Sequence, residues 1–189
     1  LLYYGTLPPE LADRLTNSAM IDRGEFAVLF QTVKELLSYQ QSDQQLYTQV
    51  LYMLCNGAEL DRVLTKMTDV TGDLFVVIDS TGKLVAKTKN FYVDYPLWMR
   101  SIEQGYCSDI LMEYIEDRRR KNEYSLSDKP FTLFCEHMQR YLLCTRIVYD
   151  NFMMGYVIIV SKTGMFSAAE QQIIPLLSSS AKERIVKSN

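Results

Sequence analysis

Residues 74–88 read LFVVIDSTGKLVAKT. A strand with one wet face alternates apolar and polar residues, but Leu74–Ile78 is apolar at every position. This strand is therefore expected to be covered on both faces. Asp79 and Gly82 then interrupt the run with turn chemistry, and a second apolar stretch begins at Leu84. The segment predicts a β-hairpin in a buried sheet.

Working outward, RYLLCTRIVYDNFMMGYVIIVSK at 140–162 predicts a longer hairpin. Asp150-Asn151 supply its turn, because both tolerate the positive φ of a two-residue loop. Gly155 in the return strand marks a bulge or a close backbone approach. A further strand is expected at 131–135, giving a sheet of six strands or fewer.

Helical spacing frames these strands. EFAVLFQTVKELLSY (25–39) places Phe26, Leu29, Phe30, Val33, Leu36 and Leu37 on one face. Ser42 with Gln45 reads as a capping box opening a second helix that carries Leu46, Val50, Met53 and Leu54. Asn56-Gly57 ends it. A third helix over 58–70 carries Leu60, Val63, Leu64 and Met67. Ser167 with Glu170 is another capping box, opening a helix with Ile173, Leu177, Ala181 and Ile185 inward. Pro175 should kink that helix or delay its regular start. Residues 1–7 read as the tail of a strand, which Pro8-Pro9 turns aside. Helices, hairpin, insert, strands and helix in that order predict an α+β fold, an antiparallel sheet flanked by helices 43–55, 58–70 and 168–187.

Composition excludes some classes. The net charge of −3 gives no electrostatic reason for this chain to hold nucleic acid. No apolar stretch approaches the ~18 residues of a membrane span and no basic segment leads into a long apolar run, so neither a span nor a signal peptide is expected within these residues. Because it begins Leu1-Leu2-Tyr3-Tyr4, the chain is expected to start inside a larger protein. The four cysteines (55, 107, 135, 144) have no zinc-ligand spacing and read as buried thiols of a cytoplasmic protein.

Catalysis is not expected. His137 is the single histidine, two positions from Cys135, and a nucleophile needs a base oriented by a third group. No nucleotide-, phosphate- or metal-binding motif occurs. The Arg118–Lys121 run follows Glu113, Glu116 and Asp117, so it reads as a salt-bridged helix end rather than a nucleic-acid patch. The insert at 89–128 is dense in rings: Phe91, Tyr92, Tyr95, Trp98, Tyr106, Tyr114 and Tyr124. These either pack as core or line a small-molecule cavity between insert and sheet. The cavity reading places Tyr92, Trp98, Tyr106, Phe134, Cys144 and Arg146 around the ligand, with Arg146 as anchor for an anionic group. Arg146 as an outward-facing strand residue is the competing assignment.

The stretch LYMLCNGAELDRVLTKMTDVTG, running into LFVVIDSTGKLVAKT, is similar to the start of the GAF-like sensor domain in PucR-type bacterial regulators of purine catabolism and sugar-diacid use. DYPLWMRSIEQGYCSDILMEYI resembles that family's insert, YDNFMMGYVIIVSKTGMFSAAEQQII its ending, and LLYYGTLPPEL the close of a preceding segment. The resemblance implies a GAF-like domain over 41–189, with 1–40 as the end of a preceding segment plus a connecting helix. It implies a sensor of an unknown small metabolite, a homodimer paired through flanking helices, and DNA contact only through a C-terminal helix-turn-helix domain absent from this chain. No cofactor is implied. A ligand-free structural dimerisation module of the same kind of regulator is the alternative.

Overall fold

The computed structural model describes residues 2–3, 19–20, 23–120 and 129–188. In chain order the elements are β1 (Leu2–Tyr3), β2 (Ala19–Met20), α1 (Arg23–Cys55), α2 (Leu60–Thr71), β3 (Leu74–Asp79) and β4 (Leu84–Lys87). They continue as α3 (Pro96–Glu103), α4 (Asp109–Arg120), β5 (Phe131–Cys135), β6 (Arg140–Tyr149), β7 (Phe152–Ser161) and α5 (Ala168–Ser188). The chain divides into two compact units, Leu1–Gln44 and Gln45–Asn189.

In the first unit β1 and β2 pair in parallel, Leu2 against Ala19 and Tyr3 against Met20. Pro8-Pro9 and Tyr124, singled out in the sequence, lie outside the described residues. The break expected between two helices near residue 40 does not occur: one 33-residue helix runs from Arg23 to Cys55. Ser42 and Gln45 offer cap chemistry, but no Gly or Pro interrupts the residues around them. Once a helix is nucleated, propagation costs little, so the cap signal yields to the flanking helix formers. Val33, Leu36 and Leu37 of this helix are exposed.

The second unit is an α+β fold around a five-stranded sheet in the order β4-β3-β7-β6-β5, every pairing antiparallel. As its unbroken apolar run requires, β3 is covered on both sides. Phe75 and Val77 face a helical layer with Leu46, Val50, Leu64, Met67, Ile173 and Leu177. Val76 and Ile78 face the insert, with Phe91, Trp98, Ile102, Leu111 and Ile115. Alternate residues of a strand point to opposite faces, so one sheet carries two separate cores.

The turns follow local chemistry. Asp79 Oδ1 accepts hydrogen bonds from the Thr81 N–H (2.8 Å), the Thr81 hydroxyl (2.7 Å) and the Lys83 N–H (3.0 Å), closing the first hairpin. Asp150 and Asn151 take φ of 47° and 66° in the second. Gly57, at φ 70°, stops α1. Gly155 is required by close approach: it sits opposite Asp79, and a Cβ there would run into the Ile78 carbonyl oxygen and lie 2.8 Å from Asp79 Cα. A register shift between Ile147 and Val148 on the facing strand accompanies it.

At the outer edge of the sheet, β4 is closed by helix side chains. Asp61 Oδ1 accepts the Lys87 N–H at 2.8 Å, and Thr65 Oγ1 accepts the Lys89 N–H at 3.0 Å. The Ser167/Glu170 capping box forms as predicted: Glu170 N–H donates to Ser167 Oγ (3.1 Å) and Ser167 N–H to Glu170 Oε2 (2.9 Å). Helix α5 starts at Ala168 with no delay, and Pro175 lies within it.

Candidate functional site

The insert-facing side of the sheet holds Trp98 and Cys144 of the groups the sequence marked. After β4 the chain leaves the sheet, then returns against the first hairpin. There the Cys107 N–H donates to the Gly82 carbonyl at 2.7 Å, and the Leu84 N–H to the Gly105 carbonyl at 2.8 Å. An isolated antiparallel bridge joins Lys83 and Tyr106. These bonds pin the α3–α4 connection to the hairpin and leave α3 and α4 lying over β3, β7 and β6.

Trp98 is fully buried in α3, its indole edge-on to Phe91 with centroids 5.2 Å apart. Its Nε1 finds no hydrogen-bond acceptor. The Cys107 thiol faces it, and sulfur is only a weak acceptor. Three buried thiols share this core. Burial pushes the Cys107 thiol up to about 12. It raises Cys144 further, with Cys107 and Cys135 adding repulsion, and raises Cys135 as well. Such thiols stay protonated and act as packing groups.

A polar seam runs along α4. The buried Tyr156 hydroxyl donates to Glu116 Oε1 at 3.1 Å, and the Tyr114 hydroxyl donates to the Phe134 carbonyl at 2.7 Å. The Arg118 guanidinium lies 5.2 Å above the Tyr114 ring, so this cation of the Arg-rich run is half-buried against an aromatic face rather than fully solvated. Lys121 lies outside the described residues.

Of the six residues predicted around a ligand, Trp98 and Cys144 lie together in the insert-side core. Arg146 is half-buried and pairs across the strands with Tyr156; its backbone carbonyl accepts the Ser178 hydroxyl of α5 at 3.0 Å. Tyr106 is exposed at the docking bridge. Tyr92 is 67 % exposed and lines a separate groove of about 320 Å³ with Tyr95, Met99 and Arg100. Phe134 does not join the others. Its neighbours Leu133 and Cys135 point into the insert-side core, so strand alternation turns Phe134 to the other face, where its ring lies 4.7 Å from Tyr141. His137 is exposed in the β5–β6 turn while Cys135 is buried, so strand spacing does not hold the two side chains on one face.

A second concavity was not anticipated. A groove of about 710 Å³ is lined by Met53, by Asp61, Arg62, Thr65, Lys66 and Asp69 along α2, and by Lys87 and Lys89 at the sheet edge. The i, i+4 spacing of Arg62 and Lys66 and the i, i+2 spacing of Lys87 and Lys89 are legible separately, but only the tertiary fold brings the pairs together.

No family model matches the chain, and no curated protein matches it. Among solved structures, it is similar to the cofactor-binding GAF domain of the nutrient sensor CodY from Clostridium difficile. Identity there is 13 %, covering 83 % of this chain and 97 % of that one, with a TM-score of 0.46. It is also similar to the GAF domain of an Acinetobacter phosphoenolpyruvate-protein phosphotransferase: 12 % identity, 77 % and 94 % covered, TM-score 0.45. A third is the Escherichia coli DhaR(N)–DhaL complex, at 7 % identity, 83 % and 51 % covered, TM-score 0.41.

Proposed function

We propose that this chain is a GAF-like small-molecule-sensing region of a cytoplasmic bacterial transcription regulator, of the PucR type its sequence resembles. DNA would be contacted only through a C-terminal domain outside this chain. The reading assigns no catalytic step, and a His137→Ala variant is expected to behave as the parent.

The observation that carries the proposal is the Trp98 indole. It is fully buried on the insert side, and its N–H has no oxygen or nitrogen acceptor, only the weak Cys107 sulfur. A buried donor left unpaired costs about 1–3 kcal/mol, which a ligand acceptor entering between insert and sheet would recover. Entry requires the insert to lift, and the two backbone bonds at Gly82 and Leu84 are where it would hinge. Arg146 and Tyr156 lie side by side on β6 and β7. They supply polar groups beside that space. A ligand shifts the flanking helices only if it binds one insert arrangement more tightly than the other.

Trp98 is the single tryptophan, so its fluorescence reports this space alone. Titration with purines and sugar diacids is expected to give a saturable emission change. A ligand at 100 times its Kd adds about 2.7 kcal/mol, so Tm should rise by several degrees. If no compound changes either signal, and mass spectrometry finds no small molecule carried through purification, ligand sensing is refuted.

A second reading, a ligand-free dimerisation module, draws on the exposed Val33, Leu36 and Leu37 of α1. Apolar residues at helical spacing on one face are what a paired helix in a homodimer requires. A dimer whose sedimentation ignores every compound would favour it.

A further inference from the structure

The groove between α2 and the β4 edge lies on the helical side of the sheet, away from the insert, and the sensing proposal makes no use of it. Its lining is unusual for a chain of net charge −3, because four of its eight residues are cations. Arg62 and Lys66 stand one turn apart on α2, while Lys87 ends β4 and Lys89 lies in the turn just beyond it. None of the four forms an ion pair among the described residues.

Their arrangement is held from below. The bonds from the Lys87 N–H to Asp61 Oδ1 and from the Lys89 N–H to Thr65 Oγ1 fix the strand edge against the helix, so the cations of α2 and of the edge line one groove. Asp61, which accepts that backbone bond, and Asp69 are both carboxylates of the lining, so its four cations outnumber its acids by two. The same bonds consume the outward N–H groups of Lys87 and Lys89, so an extended peptide cannot add to the sheet there as a strand. Met53, the threonine methyl and the lysine stems give the groove an apolar floor. The volume of about 710 Å³ lies in the range of small-molecule sites.

We propose that this groove binds a small organic polyanion, its charged groups held among Arg62, Lys66, Lys87 and Lys89 and its organic part lying over Met53. Arg62 offers a fork suited to a phosphate or carboxylate, and the lysines act as point charges. The site is independent of Trp98, so either proposal can fail without the other.

The test is calorimetric titration of the full chain with inorganic pyrophosphate and with ADP, at 50 and 300 mM salt. Saturable binding that weakens with salt is expected. It should fall at least roughly tenfold in Arg62→Gln/Lys66→Gln and in Lys87→Gln/Lys89→Gln, because each removes charge-assisted hydrogen bonds. Lys187→Gln, at the far end of α5, should bind as the parent does. Trp98 fluorescence confirms that each variant is folded, and the exposed single variants Arg62→Gln and Lys89→Gln replace any pair that is not. The proposal is overturned if neither probe binds, if the groove variants bind as tightly as the parent, or if Lys187→Gln weakens binding equally. Binding of polyglutamate without pyrophosphate or ADP would also overturn it, since the groove would then serve an acidic protein.

Discussion

Glu170 offers a quantitative test of how this fold stores electrostatic strain. It is 2 % exposed at the start of α5, with Oε1 unpartnered. Around it converge Thr71 from the end of α2, Asp73 from just before β3 and Ser167 from its own cap, with Ser161 of β7 beside Asp73. Burial pushes its carboxyl up to about 7 and the nearby Asp73 adds repulsion, while the cap bonds pull the other way. Burial raises Asp73 too. A carboxyl raised in the folded state stabilises it most fully below the unfolded value near 4.5, and that contribution is lost as pH climbs through about 7. At roughly 1.4 kcal/mol per pH unit the loss has a ceiling of about 3 kcal/mol. Glu170→Gln keeps the capping box, since glutamine fills the same role, but removes the charge. At pH 4.5 the variant and parent should melt within about 2 °C of each other. At pH 8 the variant should be more stable by about 2–3 kcal/mol, a Tm gain of roughly 5–10 °C at this size. Calorimetric melts from pH 4.5 to 8.5 decide it, and melting curves that run parallel across that range would refute the reasoning. Glu170→Ala loses the cap as well and should be less stable than Glu170→Gln at every pH.

Other expectations concern the turns and α1. Gly155→Ala must push a methyl into the Ile78 carbonyl, so denaturant unfolding should show a loss above about 3 kcal/mol or no folded protein. Asp79→Ala removes three hydrogen bonds from the first hairpin turn and should cost about 1–2 kcal/mol, with amide exchange quickening first at Thr81 and Lys83. Val33→Glu/Leu37→Glu places charges on the exposed apolar face of α1. It should abolish any concentration-dependent association seen by sedimentation while leaving the Trp98 emission unchanged.

Features that rest on local chemistry were legible from the sequence. The Asp79 turn, the Asp150-Asn151 turn, the Gly57 stop and the Ser167/Glu170 cap each depend on residues within four positions of one another. The double covering of β3 followed from its unbroken apolar run. The Ser42 cap misled because a helix continues wherever its flanks favour it. Site residues were harder, since ring content does not specify a face. Leu133, Phe134 and Cys135 are all apolar, yet parity along β5 sends only two of them into the insert-side core. The cations of the α2 groove were invisible as a group because about 20 residues of chain separate Lys66 from Lys87, and only sheet formation closes that gap.

The distribution of thiols turns the molecule into its own clock. Cys55 is exposed, whereas Cys107, Cys135 and Cys144 are buried on the insert side. In native buffer a thiol reagent should modify one cysteine at once. The other three then wait on opening events of different size: Cys107 on release of the α3–α4 connection, Cys144 on parting of the sheet itself. Their successive half-times would order the motions of the insert and the strands beneath it, without a label being engineered into the chain.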